Sequence, residues 1–301
     1  MSGLAEAGHR AVNALERQEW LQPVEEKLQR FVGAALSAAG RRVRNLLHGT
    51  WLGHALHPVL TDVPIGAWTM ALVCDLLDAR RPRRRVFGWT ARRPYARTAD
   101  RAIVVGLVGA GAAAVTGMAD WSHTSGRSRR TGLVHALMNT AALGLWAASL
   151  MARRRGARGA GRTLASLGYG ALLASAYLGG TLVYRYRLGV DHSDRPTDTT
   201  LEAYFDVHDL PEGARRRVEI KGIPVVLVRH GGRVYTIGER CSHMGGPLSE
   251  GAFEDGTVVC PWHGSRFALA DGRVIDGPAT MNQPCFEVRE ASGRVVVRRA
   301  A

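Results

Sequence analysis

The sequence predicts a multidomain chain: an all-α transmembrane four-helix bundle followed by a small all-β domain. Three observations lead there. Long uncharged runs fill the first two thirds, short alternating runs broken by glycine turns fill the last third, and the charge changes between them. Residues 1–194 carry 26 basic and 12 acidic side chains, whereas residues 195–301 carry 14 of each, so the whole formal charge of +14 belongs to the first part. With 301 residues, 46% apolar content and four cysteines, the chain is neither a disulfide-stapled miniprotein nor a low-complexity tail. The boundaries read from these changes are an amphipathic N-terminal region at 1–50, the bundle at 51–190, a linker at 191–200 and the β domain at 201–301.

Residues 1–50 lack the apolar run of a cleaved secretory signal, because Glu16, Glu19, Glu25 and Glu26 interrupt them. Residues 102–119, 131–152 and 163–184 are uncharged over 18, 22 and 22 positions, close to the roughly 20 residues that cross hydrocarbon. Residues 59–77 complete the set, although Asp62 and Asp75 fall inside the run; Asp62 reads as a helix cap and Asp75 as a group near the far interface. A soluble bundle competes with this reading, but three such helices would need apolar partners on every side. Gly106, Gly109, Gly111 and Gly117, and Gly168, Gly170, Gly179 and Gly180, are expected to let helices approach closely. Trp51, Trp68, Trp121 and Trp146 are candidate interfacial anchors, Trp121 first among them.

The basic excess is uneven. Arg80, Arg81, Arg83, Arg84, Arg85, Arg92, Arg93, Arg97 and Arg101 follow the first span, and Arg153, Arg154, Arg155, Arg158 and Arg162 follow the third. By the rule that Lys and Arg stay inside, both loops are cytoplasmic, leaving the turn with Arg127, Arg129 and Arg130, both termini and the β domain extracytoplasmic. The chain therefore reads as a multi-pass protein of the cell membrane. These arginines flank apolar spans and no aromatic stacking positions, so membrane lipid, and no nucleic acid, is the expected counter-charge. The export route of the β domain stays open: RRTGL at 129–133 imitates a twin-arginine signal but follows two spans.

Beyond Tyr184 a polar connector runs through Asp191, His192, Ser193, Asp194 and Arg195. Strands are expected at 217–220, 225–229, 234–237, 257–259, 265–268, 285–289 and 294–297, with turns at 230–232, 271–272 and 292–293.

Two short segments in this domain pair cysteine with histidine: Cys241 with His243, and Cys260 with His263, with sixteen residues between His243 and Cys260. Two thiolates and two imidazoles can close a tetrahedral zinc shell, or they can divide between two irons, and composition does not choose. The full segments, CSHMGGPL at 241–248 and CPWHGSRF at 260–267, resemble the two binding loops of the Rieske family. The resemblance covers about the last hundred residues. It implies a small β domain holding a [2Fe-2S] cluster, with Cys241 and Cys260 on the buried iron and His243 and His263 on the exposed one.

High-potential respiratory relatives carry an extra cysteine in each loop, where this chain has Met244 and Trp262, so no loop-to-loop disulfide is available. Ser265 keeps a hydroxyl for the cluster, whereas Phe267 stands where those relatives have a tyrosine, and fewer donors imply a lower potential. Gly245, Gly246 and Gly264 close turns or bring backbone N–H groups toward sulfur. Cys74 and Cys285 read as buried small hydrophobes. An oxygenase catalytic subunit is disfavoured, because no histidine follows His263 to help build a mononuclear iron site.

The first half resembles a family of four-span bacterial membrane domains, through GHALHPVL at 53–60, VPIGAW at 63–68, GLVH at 132–135 and LGG at 178–180, with Thr181 where a histidine is expected in many relatives. The span order puts His54, His57, His123, His135 and His192 on one membrane face. His54 and His57 share a helical face if their segment is helical, and His135 sits about one turn inside the interface. Haem b, quinone or plain hydrogen bonding are the competing roles, with His57 and His135 the first pair.

The leading functional expectation is a membrane-anchored electron carrier or oxidoreductase component that passes single electrons to or from a redox protein or the quinone pool. The alternatives are a haem- or quinone-linked oxidoreductase subunit and a zinc-stabilised membrane adaptor.

Overall fold

Six α-helices precede the main β strands among the described residues of the computed structural model, which are 3–80, 85–86, 89–90, 94–195, 202–291 and 294–299. The helices are α1 (Gly3–Glu16), α2 (Gln22–His48), α3 (Leu56–Arg80), α4 (Pro94–Trp121), α5 (Gly126–Arg154) and α6 (Arg158–Tyr184), with a two-strand hairpin, β1 (Arg85–Val86) and β2 (Trp89–Thr90), between α3 and α4. The chain forms two compact units. One comprises Met1–Ala34 and Leu56–Arg187, the other Ala35–Ala55 and Leu188–Ala301. Helix α2 contributes to both and is broken at Gly40, whose φ of 79° only glycine adopts without strain.

Helices α3 to α6 are long and apolar enough to cross a bilayer. Their shared core stacks Trp68 on Trp146, ring centroids 5.0 Å apart, with Ile103, Ala142, Leu150 and Ala165 packed around them. Gly106 makes this possible, since a Cβ there would stand 2.1 Å from the Trp68 indole nitrogen. Gly109, Gly117, Gly168 and Gly179 also face neighbouring side chains, whereas Gly111 and Gly170 have open space beside them and do not mediate close approach. Val108 and Leu173, 71% and 58% exposed, are among the apolar side chains left for lipid.

Several expectations are corrected here. Helix α3 begins at Leu56 because Pro58 is tolerated in a first turn, so Asp62 lies in the helix interior and caps nothing. His54 precedes that helix in a bend and shares no helical face with His57. Trp121 is no interfacial anchor: it is 8% exposed, packs with Leu21 and Leu133, and donates to the Arg129 carbonyl at 2.8 Å. Trp68 and Trp146 are core residues, and among the four only Trp51, 64% exposed, has an anchor's exposure.

Many arginines counted as loop charges are paired. Arg153 is buried against Asp75, with a 2.8 Å bond to one carboxylate oxygen and a shorter one to the other. Arg162 reaches Asp78 at 2.7 Å and Arg158 reaches Asp100 at 2.9 Å. Beside the α4–α5 turn, buried Glu25 accepts from Arg129 and Arg130, both at 3.1 Å, and Gln29 donates to the carbonyls of Trp121 and Thr124. Arg81, Arg83, Arg84, Arg92 and Arg93 lie outside the described residues.

In the second unit ten strands follow: β3 (Glu202–Asp206), β4 (Arg215–Ile220), β5 (Ile223–His230), β6 (Arg233–Gly238), β7 (Ala252–Glu254), β8 (Thr257–Val259), β9 (Arg266–Ala268), β10 (Val274–Asp276), β11 (Cys285–Ala291) and β12 (Arg294–Arg299). They make a six-stranded antiparallel sheet in the order β3-β12-β11-β6-β5-β4 and a four-stranded one in the order β10-β9-β8-β7. Strands β3, β7 and β10 had no sequence expectation, and the turn expected at 292–293 lies outside the described residues, as do 196–200 of the connector. Strand β5 is buried on both faces, since Val225 and Leu227 join one core while Val226 and Val228 join another. That second core also contains Cys241, Leu248, Val258, Cys260 and Phe267, which sets the position of the site.

Candidate metal centre

Cys241 lies in the loop that leaves β6, and Cys260 opens the turn between β8 and β9. The two loops share one backbone scaffold. The Cys241 N–H bonds the carbonyl of Gly246 at 2.9 Å and the Gly245 N–H returns to the Cys241 carbonyl at 2.8 Å; Cys260 pairs in the same way with Ser265 at 2.8 Å and Gly264 at 3.0 Å. Gly245 and Gly264 take φ of 78° and 74°, so each loop reverses on a residue without a Cβ. The glycine N–H groups are thereby spent on loop closure. The backbone N–H groups directed at sulfur come from His243 and Met244 to Cys241, and from Trp262 and His263 to Cys260, so of the two roles expected of Gly245 and Gly264 the loops show turn closure.

Both thiols are buried, at 1% and 3% exposure, and hydrogen-bonded to each other. The Cys241 thiol donates to Cys260, so Cys260 is held down to about 6 while Cys241 is pushed far above the ordinary thiol range. The imidazoles of His243 and His263 are half-buried, with ring centroids 5.0 Å apart and planes nearly perpendicular. Burial holds the His263 imidazole below its usual value, keeping it neutral and able to offer a lone pair. The donors thus form a thiol pair, joined by the Cys241–Cys260 hydrogen bond, and an imidazole pair in ring contact. Gly246 leaves room there, because a Cβ would stand 2.9 Å from the Cys260 sulfur and 3.0 Å from the Trp262 ring.

Gln283 and Glu239 support the site without any sequence expectation. Gln283, buried, donates to the carbonyls of Gly238 and Arg240 and accepts from the Ser242 N–H at 3.0 Å, fixing the first loop. Glu239, also buried, accepts from the Ser249 N–H and hydroxyl. Ser265 accepts from the Ala279 N–H at 3.0 Å. Cys74 is buried as expected, whereas Cys285 is only half-buried, because it opens β11 and points its thiol at the carbonyls of Thr236 and Leu269.

In the helical unit, the His57 Nδ1 hydrogen-bonds with the Ala113 carbonyl at 2.8 Å. The His135 Nδ1 meets the Ser175 carbonyl at 2.9 Å and Asn139 reaches its Nε2 at 3.0 Å. The two rings lie 6.4 Å apart.

Comparison with known proteins accounts for both units. Residues 202–287 match the family model described as Rieske [2Fe-2S] domain, and residues 53–192 match the one described as predicted membrane protein (DUF2231). Apoptosis-inducing factor 3 of Homo sapiens is 35% identical over 113 residues, 37% of this chain, which spans about a fifth (19%) of that protein. The 3-phenylpropionate/cinnamic acid dioxygenase ferredoxin subunit of Escherichia coli (strain K12) is 36% identical over 92 residues, 30% of this chain and 86% of the relative. Among solved structures, the ferredoxin of carbazole 1,9a-dioxygenase from Nocardioides aromaticivorans IC177 aligns with a TM-score of 0.32 and 25% identity, over 34% of this chain and 99% of that one. The chain is thus a membrane protein that belongs to the Rieske [2Fe-2S] family through its C-terminal β domain, joined to a DUF2231 domain.

Proposed function

We propose that Cys241 and Cys260 hold one iron of the [2Fe-2S] cluster, that His243 and His263 hold the other, and that the chain is a membrane-anchored carrier of single electrons. The observation that carries this reading is the pair of matching loop scaffolds, which place two buried thiols in the core and two half-buried imidazoles toward the surface. When bound, the cluster supplies a reversible one-electron couple. The four backbone N–H groups directed at the sulfurs stabilise thiolate, and the core around Cys241 and Cys260 excludes water from that side. Trp262, 56% exposed and edge-on to His263, offers an aromatic surface beside the imidazoles for a redox protein. A protein partner is therefore favoured over the quinone pool. Phe267 brings no hydroxyl, which supports a potential below that of respiratory relatives.

We read the bundle as anchor and lipid-facing scaffold, with no haem b or quinone site. His135 spends both ring nitrogens on Ser175 and Asn139, and His57 is tied to the Ala113 carbonyl, so these imidazoles cross-link helices. The arginine distribution supports an extracytoplasmic β domain, which reporter fusions after residue 301 would test.

Iron and acid-labile sulfide analysis with EPR on the purified, reduced chain tests the function. Two irons and two sulfides per chain with a [2Fe-2S] signal are expected. Zinc without sulfide would refute it, and haem absorption lost in His57→Ala or His135→Ala would overturn the reading of the bundle.

A further inference from the structure

Residues 35–55 belong to the same compact unit as the β domain, and three of their side chains meet the loop that follows β10. Asn45 Nδ2 donates to the Asp276 carboxylate at 3.1 Å, and the Gly277 N–H donates back to Asn45 Oδ1 at 3.0 Å. Arg41 Nε lies 3.4 Å from the same Asp276 oxygen, and Asp276 is 8% exposed despite its charge. Thr50 closes the contact, because a Cβ on Gly277 would stand 2.9 Å from its hydroxyl oxygen.

Two residues further along, the Ala279 N–H donates to the Ser265 hydroxyl oxygen at 3.0 Å. Ser265 is fully buried and its carbonyl accepts from the Cys260 N–H, so it closes the second cysteine loop. A hydroxyl that accepts one bond keeps its own hydrogen to give. With Ala279 fixing the lone-pair side, the direction of that hydrogen is restricted, within the loop that carries the Cys260 thiol proposed above as a ligand.

We infer that Asn45 is a positioning residue for the metal centre: through Asp276 and Gly277 it holds Ala279 against Ser265, and so sets how firmly the Ser265 hydroxyl donates toward sulfur. This rests on the cluster ligation proposed above. Reduction adds one negative charge, so a donor aimed at sulfur favours the reduced state, and loosening that donor lowers the potential. The N-terminal segment is thereby tied to the redox property of a domain more than two hundred residues further along the chain.

The test uses the full chain with Asn45→Ala, Ser265→Ala and the double variant, reading midpoint potential by redox titration and the EPR spectrum of the reduced cluster. Asn45→Ala is expected to lower the potential and shift the spectrum, Ser265→Ala to lower it further, and the double variant to match Ser265→Ala alone. Arg41→Ala, at an exposed side chain, is a milder perturbation of Asp276 expected in the same direction. An Asn45→Ala protein with unchanged potential and spectrum, or additive effects in the double variant, overturns the inference. A wild-type chain without a [2Fe-2S] signal refutes the ligation itself, so the two failures are distinguishable.

Discussion

In the helical unit Arg153 is buried against Asp75 and Glu25 against Arg129 and Arg130, so each buried charge meets its counter-ion. In the β unit Cys241 and Cys260 form a buried pair of two groups of the same kind, with backbone donors converging on their sulfurs and two imidazoles in contact with each other. A charge closed by its opposite has no capacity left and acts as scaffold. Like groups gathered under a set of donors stabilise thiolate, the form that the proposed ligation of iron requires. The contrast separates the structural polar groups of this chain from its chemical ones.

The largest effect is expected at the proposed ligands. Cys241→Ser or Cys260→Ser should abolish the reduced EPR signal and bring iron per chain to background; a normal signal in either would defeat the ligand assignment. The scaffold should respond differently. Glu25→Gln leaves buried Arg130 without its counter-charge, which costs about 3–5 kcal/mol, whereas Asp75→Asn leaves Arg153 the Asp100 carboxylate at 3.5 Å and should cost less, each visible as a lower midpoint in denaturant unfolding of the helices with the cluster spectrum unchanged.

A third prediction concerns acid. The folded value of Cys260 is about 6 against an ordinary 9.0, so its thiolate contributes stability to the metal-free fold that is complete above 9.0 and lost as pH falls through about 6. Cys241, raised by the shared hydrogen bond, does not ionise in that window. Iron loading of the metal-free chain should therefore fall steeply below about pH 6, and a yield that stays flat through that region would argue against a shared-proton thiol pair. The smallest effects belong to the two remaining cysteines. Burial pushes Cys285 up and keeps it a thiol, so Cys285→Ala and Cys74→Ala should leave iron content and potential at wild-type values.

What was legible in the sequence follows from range. The cysteine loops are each complete within about six residues, so their donors, glycines and exposed aromatic can be read from local order, and long uncharged runs announce α3 to α6. Strands β7 and β10 are three residues long, but so are β8 and β9, which were expected, so length alone does not explain the strands that were missed. The Arg153–Asp75 and Arg129–Glu25 ion pairs join residues 78 and 104 positions apart, which no periodicity encodes, so their arginines passed for loop charge and Trp121 for an interfacial anchor. Gln283 was invisible for the same reason: its bonds to the first loop span more than forty positions.

Pulsed EPR on the reduced full chain, prepared with and without isotope-labelled histidine, addresses the mixed ligation most directly. Hyperfine couplings from two histidine nitrogens, with one lost in His243→Ser and the other in His263→Ser wherever the cluster survives, are the predicted result. A signal without histidine coupling, or zinc filling the four side chains in protein free of sulfide, would contradict it.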